Sequence, residues 1–269
     1  MPLRIVNSKQ NARLKELRRA LRSPERNGSV IGIEGPHLIE EAIHAGLRVR
    51  CAFAGDGFQP WLAQLPLAAD TETLVMPNGI LRSTFVTETP QPVAALIDPP
   101  RWTWADLFGP ADLALLVVVL AGIQDPGNLG TILRSAEAFG ANGAVSLPGT
   151  VSPWNQKAMR ASAGSVFRIP LISATSDECF SRLHAAGVNI LTTALCDGTP
   201  ADAVDFTRPI ALLIGNEGNG VPPEIAAQAS GAVTIPCPGP VESLNASVAA
   251  GVLLYEASRQ RRAACERRK

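Results

Sequence analysis

The 269-residue chain has no apolar run long enough to cross a membrane. Its longest candidate, Leu113 to Ile123, falls well short of the roughly 18 residues that a spanning helix needs. The opening Met-Pro-Leu-Arg-Ile-Val-Asn-Ser-Lys has no apolar h-region, so a cytoplasmic location is expected. Cysteine is sparse and odd in number, with residues 51, 179, 196, 237 and 265 forming no Cys-x-x-Cys. The one close Cys/His pair, Cys179 and His184, has no second pair to complete a metal site. No metal is therefore expected, and the cysteines read as reduced, partly buried and chemically idle. His37, His44 and His184 read as surface or packing residues. No Gly-Lys-Ser/Thr follows a glycine loop, which excludes a Walker A phosphate site. Disorder is excluded too, since 46% of residues are hydrophobic and only 18% charged.

The formal net charge of zero hides an asymmetry. Residues 1–26 carry eight basic side chains against Glu16 and Glu25, a net +6. Residues 256–269 carry six against Glu256 and Glu266, a net +4, which leaves −10 for the remainder. Basic ends on an acidic body suit contact with a polyanion. They equally suit a solvated helix face at one end and a frayed tail at the other, and charge alone leaves both open.

Asn11 to Leu21 has helical composition, with Leu14, Leu17 and Leu21 on one stripe and arginines around it. Strands are expected at 30–33, 49–54, 74–76 and 92–97, with a helix opening at Glu34-Gly-Pro between the first two. This is a small α/β unit over 1–98. Residues 99–110, rich in proline and tryptophan and without a clean period, read as a linker. From 111 to 269 the alternation becomes regular. Strands are expected at 113–122, 143–147, 168–172, 189–195, 210–215 and 232–235, and helices at 129–139, 154–165, 176–186, 222–229 and 244–262. Such alternation implies an α/β fold with a parallel sheet covered on both faces, whose ligands bind at the carboxyl ends of the strands.

Three polar segments lie at those ends. In Asn128-Leu-Gly-Thr-Ile-Leu-Arg134, Asn128 is expected as the N-cap and Arg134 in the second turn, off the apolar stripe. There Arg134 either reaches a phosphate or pairs with Glu137. Gly215-Asn-Glu-Gly-Asn-Gly220 follows Ile210 to Ile214. Its glycines permit positive φ and close ligand approach, yet it lacks the third glycine of a dinucleotide fingerprint. Ile235-Pro-Cys-Pro-Gly-Pro240 is a stiff loop. After it, Ser243 is expected to cap a helix with the apolar stripe Leu244, Val248, Val252 and Tyr255, and Asn245 points its amide from the first turn. Each segment taken alone also fits an ordinary turn or helix start.

Taken together, and in this order, the segments resemble the three signature motifs of the SpoU (TrmH-type) RNA 2′-O-ribose methyltransferases of the SPOUT superfamily. The resemblance covers about residues 115–260. Lys157…Arg160-x-Ser-Ala-Gly164 and Thr192-Thr-Ala-Leu195 also look like family segments, and Glu34-Gly-Pro-His-Leu-Ile-Glu-Glu-Ala hints at the family's ribosomal-protein-like RNA-binding domain over 1–98. Cys237 stands where the family commonly has a larger residue.

The resemblance implies a deep trefoil knot in the C-terminal domain, a homodimer through that domain, and S-adenosylmethionine as cofactor. By position, cofactor contacts fall on Ala194, Leu195, Gly215, Asn216, Ile235 and Leu244. The implied reaction is methyl transfer to a ribose 2′-hydroxyl of ribosomal or transfer RNA, with ribosomal RNA favoured. Arg134 carries the central role, helped by Asn128, Glu217, Ser243 and Asn245. Because a guanidinium stays protonated, Arg134 is expected to hold a phosphate and stabilise developing alkoxide charge rather than act as a base. RNA contacts are expected at Arg13, Arg18, Arg19, Arg22, Arg134 and Arg160. The competing expectation is a non-catalytic, ribosome-associated RNA-binding protein, which explains the basic ends but leaves the three motifs without purpose.

Overall fold

The structure, a computed structural model, describes residues 3–22, 30–87, 90–109, 114–240 and 243–267. The first residue of the strand expected at 113–122, the end of the expected linker, and Val241-Glu242 in the third segment lie outside these. So do Arg26, Arg268 and Lys269 of the basic ends. The chain divides into two compact units, residues 1–101 with 152–167, and residues 102–151 with 168–269.

The first unit starts with β1 (Leu3–Ile5), α1 (Ala12–Arg22), β2 (Ile31–Glu34), α2 (Pro36–His44) and β3 (Val49–Gly55). It continues with α3 (Gln59–Gln64), β4 (Glu72–Met76), α4 (Asn78–Arg82) and β5 (Val93–Ile97). The strands form one mixed sheet in the order β1-β4-β3-β5-β2. Strands β1, β4 and β3 run parallel, and β5 is antiparallel to both β3 and β2. Helix α1 forms because Leu14, Leu17, Ala20 and Leu21 recur on one face, and that face is buried. It packs into a core with Phe53, Leu74, Met76 and Leu96. Gly32 makes the close approach possible, since a Cβ there would sit 3.0 Å from the Leu21 backbone nitrogen.

The second unit contains α5 (Trp104–Phe108), β6 (Leu116–Ala121), α6 (Pro126–Ala138) and β7 (Gly143–Ser146). The chain then passes through α7 (Gln156–Ser162), which belongs to the first unit, and α8 (Ser165–Arg168). It returns as β8 (Leu171–Ser173), α9 (Ser176–Ala185), β9 (Asn189–Ala194), β10 (Thr199–Pro200) and β11 (Ile210–Gly215). Helix α10 (Pro223–Ala226), β12 (Gly231–Thr234) and α11 (Ala246–Glu266) complete it. Seven strands pair in the order β10-β12-β9-β11-β6-β7-β8, all in parallel. Every residue of β6 and β11 is buried, as expected of central strands covered on both faces. On one face Val117, Val119, Ala211 and Leu213 pack with Leu107 of α5 and with Cys179, Phe180 and Leu183 of α9. Helix α11 contacts β11 and α6.

Several expectations are corrected. The linker reading of 99–110 overlooked α5, where Thr103 and Asp106 form a capping box and Leu107 is fully buried in the second unit's core. Helix α6 starts at Pro126 with Asp125 as N-cap, not at Asn128, because Asp125 accepts from the amides of Gly127 and Asn128. Arg134 therefore falls in the third turn. Helix α11 is capped by Asn245, not Ser243. Its buried residues are Ser247, Ala250, Leu253, Leu254 and Ala257, whereas Val248, Val252 and Tyr255 are 51%, 40% and 49% exposed. The apolar stripe read from the sequence is thus the face that α11 leaves exposed, and a second set of residues covers the core.

Candidate active site at the carboxyl ends of the central strands

Parallel pairing places the ends of β6, β9, β11 and β12 on one side of the sheet, and each motif loop leaves from one of these ends. The β11 loop is the tightest. Asn216 and Gly220 exchange two backbone hydrogen bonds of 2.9 Å each, and Gly220 has φ +68°. A Cβ on Gly215 would lie 2.3 Å from both the Gly220 carbonyl carbon and the Val221 nitrogen, so only glycine fits. The Asn216 side chain organises the turn from within. Its Oδ1 accepts from the amides of Gly218 and Asn219, and its Nδ2 donates to the Gly122 carbonyl at 3.0 Å. One side chain thus shapes the β11 loop and ties it to the β6 loop.

The turn projects Glu217 toward the start of α6. Its carboxylate accepts from the amides of Gln124 at 3.4 Å and Asp125 at 3.3 Å, and from Asn128 Nδ2 at 2.9 Å. Partial burial pushes the Glu217 carboxyl upward in pKa, but the Asn128 amide and the backbone amides outweigh it, and the net shift is downward. Asn128 Oδ1 in turn accepts from Asn245 Nδ2 at 3.1 Å. Asn245 Oδ1 accepts from the Ser247 amide and hydroxyl and from the Val248 amide. A continuous relay, Glu217–Asn128–Asn245, therefore links the β11 loop to the first turns of α6 and α11.

Beside this relay lies a cavity of ≈ 660 Å³. Ala194, Leu195, Gly215, Asn216, Ile235 and Leu244, all expected to touch a cofactor, line it together, and so do Glu217 and Ser243. Thr193, of the Thr192–Leu195 segment, lines it as well, and so does Val221, which the sequence did not single out. Thr234 Oγ1 donates to the Leu195 carbonyl at 3.1 Å, pinning the β9 loop to β12. Arg134 is exposed on α6 and has no hydrogen bond or ion pair among the described residues, so its guanidinium is free for an incoming anion. The alternative pairing with Glu137 does not form, because Glu137 accepts two hydrogen bonds from Arg168 at 2.6 and 3.0 Å.

The other expected RNA contacts divide. Arg18, Arg19 and Arg22 have no partner among the described residues, and Arg19 and Arg22 are exposed. Arg13 instead bonds Glu72 and Glu16 at 2.8 and 2.9 Å. Arg160 bonds the buried Glu34 carboxylate at 2.9 Å and Thr87 at 2.8 Å, all within the first unit. Among the described residues, no group of three potential ligands could hold a metal. No described helix is long and apolar enough to cross a membrane.

The stretch that builds this site, residues 115–255, matches the SpoU rRNA Methylase family, and the chain belongs to it. One relative is the 23S rRNA (guanosine(2553)-2′-O)-methyltransferase RlmP of Bacillus subtilis, 32% identical over 93% of this chain and 97% of its own length. An AdoMet-bound rRNA methyltransferase from Sinorhizobium meliloti superposes with a TM-score of 0.84 at 29% identity, covering 96% of this chain and 98% of that one. The SpoU methyltransferase AviRb from Streptomyces viridochromogenes, in complex with AdoMet, gives 0.81 at 28% identity, over 94% and 98%.

Proposed function

We propose that this chain methylates a ribose 2′-hydroxyl in ribosomal RNA, with S-adenosylmethionine bound at the ends of β9, β11 and β12. The observation that carries this is the convergence of the second and third motif loops on one cavity, with the first motif tied to them through the Glu217–Asn128–Asn245 relay. The residues fit the cofactor. The cavity has the size of a small-molecule site. Ile214, Val221, Ile235 and Leu244 offer apolar walls to an adenine, and Asn216, Glu217 and Ser243 offer polar groups to the remainder. Glu217, held ionised by its donors, suits a cationic ligand. Ribosomal RNA is preferred because RlmP is named for 23S rRNA.

Bound there, S-adenosylmethionine supplies an electrophilic methyl group. The chain's own work is to present the hydroxyl and absorb the charge that develops as its proton leaves. Arg134 does this by gripping the phosphate of the target nucleotide and stabilising the alkoxide. Asn128, Asn245, Ser243 and Glu217 orient the ribose and fix the start of α6. The fold around the site is read as the trefoil knot of the family, supported by family membership and by α11 lying against both α6 and β11. The exposed stripe Val248, Val252 and Tyr255 supports a homodimer through the second unit. Residues 1–98 are read as the RNA-binding domain, with Arg18, Arg19 and Arg22 as phosphate contacts. The protein would act in the cytoplasm, where ribosomal RNA is found.

Calorimetry with S-adenosylmethionine, followed by methyl transfer assayed on ribosomal RNA, tests this reading. Saturable binding is expected, and Arg134→Ala should lower turnover on the order of 10²–10⁴-fold with little change in cofactor affinity. Absence of binding would favour a non-catalytic RNA-binding role, and near-normal turnover of the variant would remove Arg134 from the mechanism.

A further inference from the structure

The five cysteines are not equivalent. Cys51 and Cys179 are fully buried, and burial raises both thiols, Cys179 to about 12. They stay protonated and inert. Cys265 is exposed near the end of α11, away from the lining of the cavity. Cys196 and Cys237 are different. Both are exposed, both are free, and both line the cavity at the strand ends. They come from separate loops, Cys196 just after β9 and Cys237 just after β12. These two strands are neighbours, with Ala194 opposite Thr234. The Thr234–Leu195 hydrogen bond holds the loops together one residue before Cys196. Neither thiol is used by the amide relay or by any step assigned to Arg134.

We infer that Cys196 and Cys237 form a thiol modification site inside the cofactor cavity, so that covalent modification and cofactor binding exclude each other. The inference rests on the reading of this cavity as the S-adenosylmethionine site. The chemistry is simple nucleophilic displacement. With an α-halo amide, the thiolate sulfur forms an S–C bond, halide departs and the thiol proton passes to solvent. With a peroxide, sulfur attacks one oxygen, the O–O bond breaks, a sulfenic acid forms and water leaves; an added thiol reductant reverses this. Either product adds bulk and polarity where the cavity must admit an adenosyl group. Conversely, a seated cofactor covers both sulfurs.

The test uses the full chain and iodoacetamide, with mass spectrometry of each cysteine peptide over time, with and without saturating S-adenosylmethionine. Labelling of Cys196 and Cys237 should slow in proportion to the cofactor-free fraction, about tenfold with S-adenosylmethionine at roughly ten times its Kd. Cys265 should label at one rate in both conditions, and Cys51 and Cys179 only after unfolding. Calorimetry on the labelled protein should then show cofactor binding abolished. The Cys196→Ser/Cys237→Ser double variant should show the same affinity before and after treatment. Unchanged labelling rates at both positions, or labelled wild-type protein that binds cofactor as before, would overturn the inference. Failure of untreated protein to bind cofactor at all would instead overturn the underlying reading, so the two failures are separable.

Discussion

Asn128 and Asn245 stand 117 positions apart in the chain, yet Asn245 Nδ2 donates to Asn128 Oδ1 at 3.1 Å. Each also fixes something else. Asn128 donates to Glu217, and Asn245 caps α11. The pair therefore couples the start of the first motif helix to the start of the last helix. Asn128→Ala removes one donor to Glu217 and one acceptor for Asn245. A decrease of about 1–2 kcal/mol in stability is expected, with a fall in turnover of roughly 10²-fold. Urea midpoints and single-turnover rates check the two halves separately.

Glu217 offers a pH test. Its carboxyl sits below the ordinary range in the folded chain because its donors outweigh the burial that opposes them. A depressed folded pKa contributes stability that is complete above the unfolded carboxylate pKa and fades as pH falls through the folded value. The stability gap between wild type and Glu217→Gln should thus be flat from about pH 8 to pH 5 and narrow below about pH 4. A gap that widens in acid would show that the assigned direction is wrong.

Gly215→Ala should be the most damaging small change in the motif loops. The new Cβ would meet backbone, which has nowhere to move, at 2.3 Å. Destabilisation of about 2–4 kcal/mol is expected, visible as a melting temperature lower by roughly 5–10 °C. Gly218→Ala, whose Cβ would meet nothing nearer than the Asn216 side-chain oxygen at 3.5 Å, serves as the control and should melt within a degree or two of wild type.

Arg261 belongs by composition to the basic tail, but its guanidinium faces inward. It donates to the carbonyls of Phe206, Ala114, Leu115 and Arg208, and its partial burial lowers its pKa. Arg261→Met removes this donor from all four carbonyls, of which Leu115 keeps the Ile210 amide, and should cost about 2–4 kcal/mol by denaturant titration. Arg267→Ala, at an exposed position, should change stability by less than about 0.5 kcal/mol.

The arginines of α1 should separate by salt dependence. Replacing Arg18, Arg19 and Arg22 with alanine should reduce the slope of log affinity for RNA against log salt by roughly 0.7–0.9 for each phosphate no longer neutralised. Arg13→Ala should leave that slope nearly unchanged, since Arg13 is already committed to Glu16 and Glu72. Filter binding from about 50 to 200 mM salt resolves the difference.

Strand and helix positions in the second unit are legible in the sequence because strands covered on both faces read as short unbroken apolar runs, and helices as a period of 3.6. Strands β6 and β11 and helix α9 lie close to where their apolar patterns put them. The cavity residues are legible for another reason: the motif loops are short, so naming the strand ends nearly names the site. Helix starts are less clear. Asn128, Ser243 and Asn245 are all residue types that cap helices, and composition does not choose among neighbours; only the Asp125-Pro126 pair carries a usable signal. Helix α11 carries apolar residues on two faces, and periodicity does not say which of them the chain covers. Helix α5 escapes because five residues between prolines show no period at all. The commitments of Arg13, Arg160 and Arg261 to internal partners depend on tertiary neighbours, which linear charge counts do not contain.

The excursion of residues 152–167 sets a limit on how the protein can be divided. Gln156 donates to the Gly32 carbonyl, Arg160 clasps Glu34, and a Cβ on Gly164 would strike Glu41. A chain cut near residue 100 therefore does not yield two intact halves. The upstream fragment would lack the piece that completes it, and the downstream fragment would carry that piece with its apolar side uncovered. Loss of RNA binding after such a cut would report misfolding as readily as the removal of a binding surface. Point substitutions on α1 are the cleaner probe, because the chain threads back and forth between its units instead of finishing one before starting the next.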